Sequence, residues 1–367
     1  MFANNLAEGP GTGLAFGVTI TSDQPITAQQ SLIDTAGLLA HGSVGNQVLS
    51  TTWYFAEGFT GNGWLTFIST TNPGNASANV NLTYHLTDGS SVTKNAVVPA
   101  KSRFTFAGHD LSTGVGPGNS FAVSISSDQP IVSQEVLIDT VGLLAHGTHR
   151  VTAPVTTWYF AEGYTGDFWL TFISIGNLTA GVAHVTATYN VLGQAPVIRN
   201  ITLASGSRGT FVGHDPTSGV RPGQSFGVTI ASDVLVVAQE VLIDPKPGVA
   251  LAHAVMGSAS LNTQFTFGGG TSEANWITFI SATNPSASAA TVTATYYFEG
   301  AFIPAVRTVN LAANSRTTFA SFDVATGVPA GRRFGVKITA SAPIISQEVT
   351  IDVSRYLAYG ASGTTGP

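Results

Sequence analysis

Apolar and polar residues alternate with a period of two along much of the chain. In residues 79–86, Val80, Leu82, Tyr84 and Leu86 fall on one face of a strand, and the polar residues between them fall on the other. Such alternation is typical of β-strands that bury one face. The pattern returns at 185–189 and 292–298, and as Phe-x-Val-x-Ile at 121–125 and 226–230. No window shows sustained helical periodicity.

Turn-forming residues separate these runs at regular intervals. Gly, Pro, Asn and Asp cluster at 72–74, 88–89, 116–118 and 128–130. Strands of five to eight residues, with turn signals every 8–12 residues, predict an antiparallel β-sandwich with seven or eight strands per unit. We therefore predict an all-β fold built from immunoglobulin-like sandwich modules.

One sequence block occurs several times in the chain. Thr-Thr-Trp-Tyr-Phe-Ala-Glu-Gly at 51–58 returns 105 positions later at 156–163, and a diverged copy, Thr-Gln-Phe-Thr-Phe-Gly-Gly-Gly, lies at 263–270. A Trp-(Leu/Ile)-Thr-Phe-Ile-Ser strand and a later Gln-Glu pair follow in each copy. The repeat predicts an N-terminal half-module at 1–50 and complete modules 1, 2 and 3 at 51–155, 156–262 and 263–367.

Residues 1–50 correspond only to the second half of a module. Phe16, Val18 and Ile20 match the Phe-x-Val-x-Ile strand, but no Trp strand precedes them. A half sandwich leaves its hydrophobic face and strand edges exposed, so another segment must complete it. Three sources are open: sequence upstream, the segment 51–104, or another subunit by strand donation. Completion by 51–104 shifts every boundary and leaves 311–367 as the unpaired half.

The repeated motifs resemble the WYFAEG-type repeats of large secreted and cell-surface bacterial proteins. The shared features are the Trp-Tyr-Phe-Ala-Glu-Gly opening, a Phe-Ile-Ser-x-x-Asn-Pro strand end and a late Gln-Glu-x-x-Ile-Asp, and they cover nearly the whole chain. The resemblance implies immunoglobulin-like spacers or adhesive repeats, sometimes attached to cell-wall hydrolases. The third copy departs from the pattern, since Phe265 replaces the leading Trp and Gly-Gly-Gly replaces Ala-Glu-Gly. If that segment contacts a neighbouring module, the last junction should differ.

The composition supports an extracellular location. Charged residues make up 9% of the chain, against roughly 25% in an average soluble domain, and hydrophobic residues make up 43%. A surface built from Thr, Ser, Asn and Gln is frequent in surface proteins of bacteria and archaea. The net charge of −6 provides no basic patch for nucleic acid. No run of 18 apolar residues predicts membrane insertion, and the start has no signal-peptide pattern, which leaves the export route open.

Candidate catalytic motifs are weak. Gly223-Gln-Ser-Phe-Gly227 matches a nucleophile elbow, but Ser225 leads into a predicted strand and not into a helix. The chain has no cysteine and no His-Glu-x-x-His, and a catalytic carboxylate would lack a second carboxylate within reach. We interpret His109-Asp110 and His214-Asp215 as turn or capping residues. We predict no enzyme activity, no metal site and no cofactor.

One histidine position recurs near the end of each copy. His41, His146 and His253 occupy it, and Tyr359 takes it in the last copy. A position that accepts either His or Tyr indicates aromatic packing more than catalysis.

Each complete module carries one glutamate in an apolar strand and one arginine at a constant distance from it. The candidate pairs are Arg103–Glu135, Arg208–Glu240 and Arg316–Glu348. An unpaired charge in an apolar strand is costly, and the half-module, which lacks the arginine segment, has Gln30 in place of the glutamate. We predict intramodule ion pairs that specify strand register. Because completion by 51–104 would set Gln30 opposite Arg103, this pattern argues against that source.

Several residues are candidates for contact with sugars. Trp53 and Trp158, in the repeated opening, could stack on a sugar ring, but a tryptophan in an alternating strand more often packs in the core or between modules. The sequons at Asn75, Asn81, Asn177 and Asn200 are candidate N-glycosylation sites. Outward threonines such as Thr83 and Thr186 would suit O-glycans equally well.

These observations favour a non-enzymatic extracellular structural protein. We expect it to form a surface fibre or stalk by head-to-tail contact through its incomplete module, with other copies of itself as partners and with covalent glycans. The alternative is a carbohydrate-binding or adhesive repeat region of a larger secreted or cell-wall-associated protein. We expect neither nucleic-acid binding nor membrane insertion.

Overall fold

The computed structural model describes residues 6, 9–33, 39–148, 151–246, 250–300, 302–323, 325–354 and 357–365. Every regular element in these residues is a β-strand, and the sheets are antiparallel, so the predicted all-β fold of tandem sandwich modules is confirmed. Within the described ranges there is no helix long and apolar enough to cross a membrane.

The strands of the described residues fall into one pair and three sets of seven. The half-module has β1 (Gln29–Ile33) and β2 (Ala40–Val44). Module 1 has β3 (Ser50–Phe55), β4 (Trp64–Asn72), β5 (Ala78–Leu86), β6 (Ser91–Val98), β7 (Ser102–Ala107), β8 (Phe121–Asp139) and β9 (Leu144–Thr148). Module 2 has β10 (Val155–Phe160), β11 (Leu170–Gly176), β12 (Ala183–Val191), β13 (Val197–Leu203), β14 (Arg208–Val212), β15 (Phe226–Asp244) and β16 (Leu251–Met256). Module 3 has β17 (Asn262–Thr271), β18 (Trp276–Asn284), β19 (Ala290–Phe298), β20 (Ala305–Leu311), β21 (Ser315–Ala320), β22 (Arg333–Asp352) and β23 (Leu357–Ser362).

One long strand organises each module. In module 1 the first half of β8 pairs with β3 and β5, and its second half pairs with β4 and β9. Two four-stranded sheets result, ordered β6-β5-β8-β3 and β7-β4-β8-β9, and they share β8. Modules 2 and 3 repeat this topology around β15 and β22. Because the long strand belongs to both sheets, seven strands form two four-stranded sheets.

The predicted turn at 128–130 is wrong, because β8 continues through it. Ladder partners end at Ser127 in the first sheet and resume at Ile131 opposite β3, so the intervening residues carry the strand from one sheet to the other. Pro130, which has no N–H, costs no ladder hydrogen bond in this crossing. The carboxylate of Asp128 accepts a hydrogen bond from the backbone N of Asn79 (2.8 Å) and fixes the crossing to β5.

The cores explain the repeated aromatic residues. Tyr84 and Phe121 are fully buried and meet edge to face with ring centroids 4.9 Å apart, and the Tyr84 hydroxyl donates to the Thr113 carbonyl (2.9 Å). The glycine that closes the opening motif is required because a Cβ on Gly58 would lie 2.0 Å from the Phe121 ring. The same arrangement recurs in the other modules with Tyr189, Phe226 and Gly163, and with Tyr296, Phe334 and Gly270.

The strand pairings decide among the sources that could complete the half-module. Residues 51–104 contribute β3 to β6 and the start of β7, all of which belong to the sandwich around β8. Completion of residues 1–50 by 51–104, with 311–367 left unpaired, is therefore wrong. Each seven-stranded set begins within one residue of the predicted module boundary.

The four units are arranged in a closed ring. The last strand of each unit packs against the last strands of two others, so that β9 contacts β16, β16 contacts β23, β23 contacts β2, and β2 contacts β9. These four strands line a common axis. The half-module thus occupies the fourth position of the ring and contacts both module 3 and module 1.

Candidate functional site

The asparagine at the end of each Phe-Ile-Ser strand organises a turn. The Asn72 side-chain amide donates to the carbonyls of Ala76 (2.7 Å) and Val98 (3.0 Å), and its oxygen accepts from Gly74 N (2.9 Å). Asn177 is fully buried and has the same set of bonds. Glycosylation at Asn177 is therefore excluded in this fold, because the amide nitrogen is used inside the protein. The other sequon residues, Asn75, Asn81 and Asn200, are exposed.

Of the roles considered for two tryptophans, core packing is the one that the structure shows, and their burial excludes stacking on a sugar. Trp53 and Trp158 are 0% and 1% exposed and lie in the cores of modules 1 and 2. The indole N–H of Trp53 donates to the Ser50 carbonyl (3.0 Å), and that of Trp158 donates to the Val236 carbonyl (2.8 Å). They bind neither a sugar nor a neighbouring module, because each is enclosed by its own sandwich.

The predicted intramodule ion pairs are also wrong. Arg103 pairs with Thr71 of β4, whereas Glu135 pairs with Ile68, three residues away on the same strand. An odd separation puts the two side chains on opposite faces of the sheet. The same three-residue offset separates Arg208 from Glu240 and Arg316 from Glu348.

The charged residues meet instead across the junction between modules 1 and 2, which we call the 1–2 junction. Glu57 and Glu135 come from module 1, and Arg208 and Gln239 come from module 2. The Gln239 amide donates to a carboxylate oxygen of Glu135 (2.8 Å) and, at 3.4 Å, to one of Glu57. Burial raises the pKa of Glu57 to about 7 and that of Glu135 well above its usual range, and the nearby Arg208 opposes both shifts.

The junction between modules 2 and 3, the 2–3 junction, repeats this arrangement. The Arg316 guanidinium donates to the Gly163 carbonyl (3.0 Å) and to Ser281 Oγ (2.8 Å). The side-chain oxygen of Gln347 accepts from the backbone N atoms of Ala161 and of Glu162, the latter at 2.8 Å. Burial raises the pKa of Glu162 to about 7, and Arg316 opposes that shift. Each junction therefore holds one fully buried acid, Glu135 or Glu240, and one partly buried acid near a single arginine.

Glu240 is the second acid of the 2–3 junction, and its pKa is also shifted. Burial and the neighbouring Glu162 both raise it well above its ordinary value, and Arg316 lowers it. Two acids beside one cation cannot both ionise without cost, so the protonated forms are favoured in each such set.

Small residues make the close approach between modules possible. A Cβ on Gly227 of module 2 would lie 2.2 Å from the Thr283 hydroxyl of module 3, which donates to the Ala161 carbonyl (2.9 Å). At the 1–2 junction the sizes are exchanged, since Ala122 meets Gly176. Gly17 of the half-module meets Thr71 of module 1 in the same way as Gly227 meets Thr283. In each of the three contacts, a glycine of one unit leaves room for a larger residue of its neighbour.

The recurrent His/Tyr position lies on the strands around the ring axis, and its interpretation as aromatic packing is confirmed. His146 packs on Trp64 and Tyr359 on Trp276, with ring centroids 5.6 Å and 6.2 Å apart. A Cβ on Gly147 of module 1 would lie 2.9 Å from Nδ1 of His41 in the half-module. Burial lowers the pKa of His41 to about 4 and, with the other two histidines nearby, that of His146 to about 3.

The junctions that flank the half-module lack part of this polar set. The Gln29 amide donates to a carboxylate oxygen of Glu348 (2.7 Å), but no arginine approaches this acid among the described residues, and burial raises its pKa to about 7. A Cβ on Gly269 would lie 2.5 Å from Gln29 Oε1, so the diverged Gly-Gly-Gly leaves room for this side chain. The opening segment does contact a neighbour, and the last junction differs, as the sequence predicted.

On the other side of the half-module, module 1 presents its arginine to a unit without the glutamate. Arg103 donates to Ser69 Oγ (2.6 Å) and Thr105 Oγ1 (3.0 Å) of its own sheet. The Gln134 amide donates to Ser43 Oγ (3.1 Å) of the half-module. The equivalent residue of module 2, Gln239, donates to Glu135 instead.

The remaining sequence candidates have structural roles. Ser225 stands at the start of β15, which continues as a strand, so no nucleophile elbow forms. Asp110 and Asp215 accept hydrogen bonds from the backbone N of Ser112 (2.8 Å) and Thr217 (2.6 Å), which confirms the turn interpretation. No group of three or more His, Asp or Glu side chains in the described part of the chain could hold a metal ion.

An open surface cleft lies on module 2, outside the junctions. It has a volume of about 510 Å³ and is lined by Tyr164, Asp167, Phe168, Trp169 and His214, among others. Phe168 is 68% exposed and has φ +76°, a conformation that bulky residues rarely adopt. The equivalent residues directly before the Trp are Gly63 in module 1 and Asn275 in module 3, both of which tolerate this conformation.

Sequence reasoning missed four junction residues. Glu57, Glu162, Gln239 and Gln347 lie in repeated motifs and looked like module signatures. The sequence did contain a signal for these contacts. The position of Glu57 and Glu162 is Gly269 in the third copy. Module 3 contacts the half-module, which is the unit that lacks the arginine. Loss of the glutamate in one unit and of the arginine in its neighbour indicates that these residues meet between units and not within one unit.

Fold and junctions together define the class of this protein, a chain of antiparallel β-sandwich modules that bind one another head to tail. No protein-family model and no curated protein matches the sequence. The solved structure of Thermotoga maritima 1070 is similar over 29% of this chain and 94% of its own, with 16% identity and a TM-score of 0.27. The Anabaena sensory rhodopsin transducer is similar over 24% of this chain and 97% of its own, with 26% identity and a TM-score of 0.22. The FN1-FN3 domains of chicken CNTN1 align with 76% of this chain and 95% of their own, with 12% identity and a TM-score of 0.13.

Proposed function

We propose that the chain is a non-enzymatic structural protein of the extracellular space or cell surface. The observation that carries this proposal is the set of buried junctions, in which the polar residues repeated between copies serve contacts between modules. The outer sheets add rows of uncharged cross-strand pairs, such as Thr83 with Thr93 (2.9 Å) and Thr293 with Thr308 (3.0 Å). Such a surface is hydrated without charge and suits an exposed scaffold.

The proposed unit is a ring and not an open head-to-tail fibre. Head-to-tail contacts between unlike faces form rings when the rotation closes and filaments when it does not. Here the series runs from module 1 to 2, to 3, to the half-module and back to module 1 within one chain. Further copies, or covalent glycans at Asn75, Asn81 and Asn200, would then attach through the outer surface.

Negative-stain electron microscopy and light scattering of the purified chain test this proposal. We expect a discrete particle with the mass of one chain and four lobes around an axis. Rows of modules that lengthen with protein concentration would contradict the ring and restore the fibre. Protease treatment of intact source cells tests the location, and failure to release fragments of this chain would count against a surface role.

A second candidate function, carbohydrate binding, is favoured by the cleft on module 2. Aromatic faces beside a few polar groups are the usual means of binding sugars, and Phe168 remains exposed in a conformation that costs free energy. The cleft is a better candidate than Trp53 or Trp158, which are buried.

Titration of tryptophan fluorescence with chitohexaose and cellohexaose tests the second candidate. We expect binding that is lost in a Phe168→Gly variant, while the variant itself becomes more stable by about 1 kcal/mol because the backbone strain is relieved. Asn275→Gly, at the equivalent position of module 3, is the matched control and should leave binding unchanged. Equal responses of wild type and Phe168→Gly to both sugars would refute the candidate.

A further inference from the structure

The half-module exposes apolar side chains whose counterparts form the core of a complete module. Val18, Ile20 and Ile26 are 65%, 53% and 56% exposed. Their counterparts 105 positions later, Val123, Ile125 and Ile131, are at most 2% exposed. A contiguous apolar surface of this kind on a folded protein marks a contact site.

The same segment has also lost its secondary structure. Residues 16–28 form no strand, whereas the counterpart residues 121–133 lie in β8 between β3 and β5. The sequence has the required alternation, so the missing element is a pairing partner. What the segment lacks is the equivalent of strands β3 to β7.

The turn ahead of this segment already has the conformation found in a complete module. Gly11 and Gly13 have φ +93° and +76°, and their counterparts Gly116 and Gly118 have +84° and +81°. A Cβ on Gly11 would lie 2.6 Å from the Leu6 side chain, and a Cβ on Gly116 would lie 2.8 Å from that of Leu111. In module 1 this turn joins β7 to β8, so the half-module keeps the connection through which a first half would enter.

Two neighbours of the half-module carry charges that point to the same absent segment. Glu348 of module 3 is 1% exposed, and no arginine approaches it among the described residues, whereas Glu135 and Glu240 lie near Arg208 and Arg316. In the complete junctions the first half of the next module supplies an arginine at this place. Arg103 of module 1 pairs with Thr71, which contacts Gly17 of the half-module, and no acid lies near it among the described residues, whereas Arg208 has Glu57 and Glu135.

We propose that residues 14–33 are the docking surface of a fourth first-half module, a segment with the pattern of residues 50–110 that is joined through the turn at 9–14. It would pair with residues 16–33, cover their apolar face, and bring an arginine to Glu348 and an acid to Arg103. A second copy of this chain does not fit the surface, since its own first halves are already paired with β8, β15 and β22. The inference is independent of the proposed scaffold role.

The absence of cysteine in this chain allows a direct test. Single-cysteine variants Ile20→Cys and, as the matched control, Ile125→Cys are labelled with a thiol reagent in the full chain. The same variants are then made with a copy of residues 50–110 joined directly ahead of Leu6. We expect the extension to slow labelling of the Ile20→Cys variant at least about 100-fold and to leave Ile125→Cys unchanged.

Three results would overturn the proposal. The first is rapid labelling of Ile20→Cys with this extension and also with a second extension, a copy of residues 155–215 from module 2. The second is protection of Ile20→Cys in the unextended chain to the level of Ile125→Cys. The third is equal protection by a control extension in which the copies of Leu82 and Tyr84 are replaced by Asp, because such a segment cannot form the sandwich.

Discussion

Two kinds of junction coexist in this ring, and their difference separates what holds the modules together from what makes the contact specific. The 1–2 and 2–3 junctions each enclose an arginine, a buried glutamine, one buried glutamate and one partly buried glutamate. The two junctions of the half-module retain the axial strands, and the junction with module 1 also retains the small-residue contact of Gly17 with Thr71, but both have only fragments of the polar set. Apolar packing at the axis thus suffices to close the ring, and the buried charges are an additional element of the complete junctions.

Buried charges of this kind add little stability, but the loss of one partner is costly. A module turned or shifted in the ring would leave Arg316 or Glu240 buried without its partner. We infer that the polar set selects the correct neighbour and orientation. The comparison of complete and incomplete junctions makes this inference testable, because the chain contains both.

The largest effect is expected from removal of the arginine in a complete junction. Arg316→Met leaves the buried Glu240 and the partly buried Glu162 without a cation and should cost about 3–5 kcal/mol. Arg103→Met, at the equivalent position beside the half-module, should cost about 1 kcal/mol, since it loses only hydrogen bonds to Ser69 and Thr105. Hydrogen exchange along β18 and β4 measures the two effects separately. Equal losses at both sites would abolish the distinction between the junctions.

A pH-dependent effect is expected from the acid that has no arginine. Burial raises the pKa of Glu348 from 4.5 to about 7, so the folded protein holds a proton that the unfolded chain releases above pH ~4.5. Stability from this group is therefore greatest below pH ~4.5 and is lost as the pH rises through about 7. Glu348→Gln should then stabilise the protein at pH 8 by up to about 3 kcal/mol and have little effect at pH 4.5.

The difference between variant and wild type at each pH is the quantity to measure, by thermal unfolding. It removes the opposite contribution of His146 and His253, whose pKa values are lowered by burial and which destabilise the fold as the pH falls below 6.5. Glu162→Gln is the control in a complete junction. The pKa of Glu162 is also raised to about 7 even with Arg316 nearby, so the same linkage predicts a gain at pH 8 and little effect at pH 4.5, and a gain at only one of the two sites would contradict the assignment.

An intermediate effect is expected from overpacking a complete junction. Gly227→Ala forces a methyl group against the rigid, hydrogen-bonded Thr283 and should cost about 1–3 kcal/mol. The double change Gly227→Ala with Thr283→Gly recreates the Ala122–Gly176 contact of the 1–2 junction and should recover part of the loss. Thermal unfolding of the single and double variants provides the comparison, and failure of the second change to compensate would argue against matched volumes.

The smallest effect is expected where the half-module replaces a complete neighbour. Gly269→Ala meets the far end of the flexible Gln29 side chain, which can move, so the cost should stay below about 1 kcal/mol. The same thermal unfolding assay applies, with Gly227→Ala as the reference. A cost as large as that of Gly227→Ala would mean that this junction is as tightly packed as the complete ones.

Much of the fold was predictable because it depends on local patterns. The alternation at Val80–Leu86, the turn signals and the 105-residue repeat correctly indicated tandem antiparallel sandwiches. The turn predicted at 128–130 failed because Pro and Asp are also tolerated where a strand leaves one sheet for another. The intramodule ion pairs failed because equal spacing along the chain cannot distinguish a partner in the same module from one in the next.

The sequence by itself determined the module, its core aromatics and the half-module, since alternation and repetition are properties of the chain. Only the tertiary structure decided that the modules close into a ring, that Arg208 and Arg316 face the glutamates of the preceding module, and that Trp53 is buried. The physical reason is that burial and charge pairing depend on which surfaces meet. Identical modules present the same surfaces to themselves and to their neighbours, and the register of β4, β7 and β8 determines which of the two contacts forms.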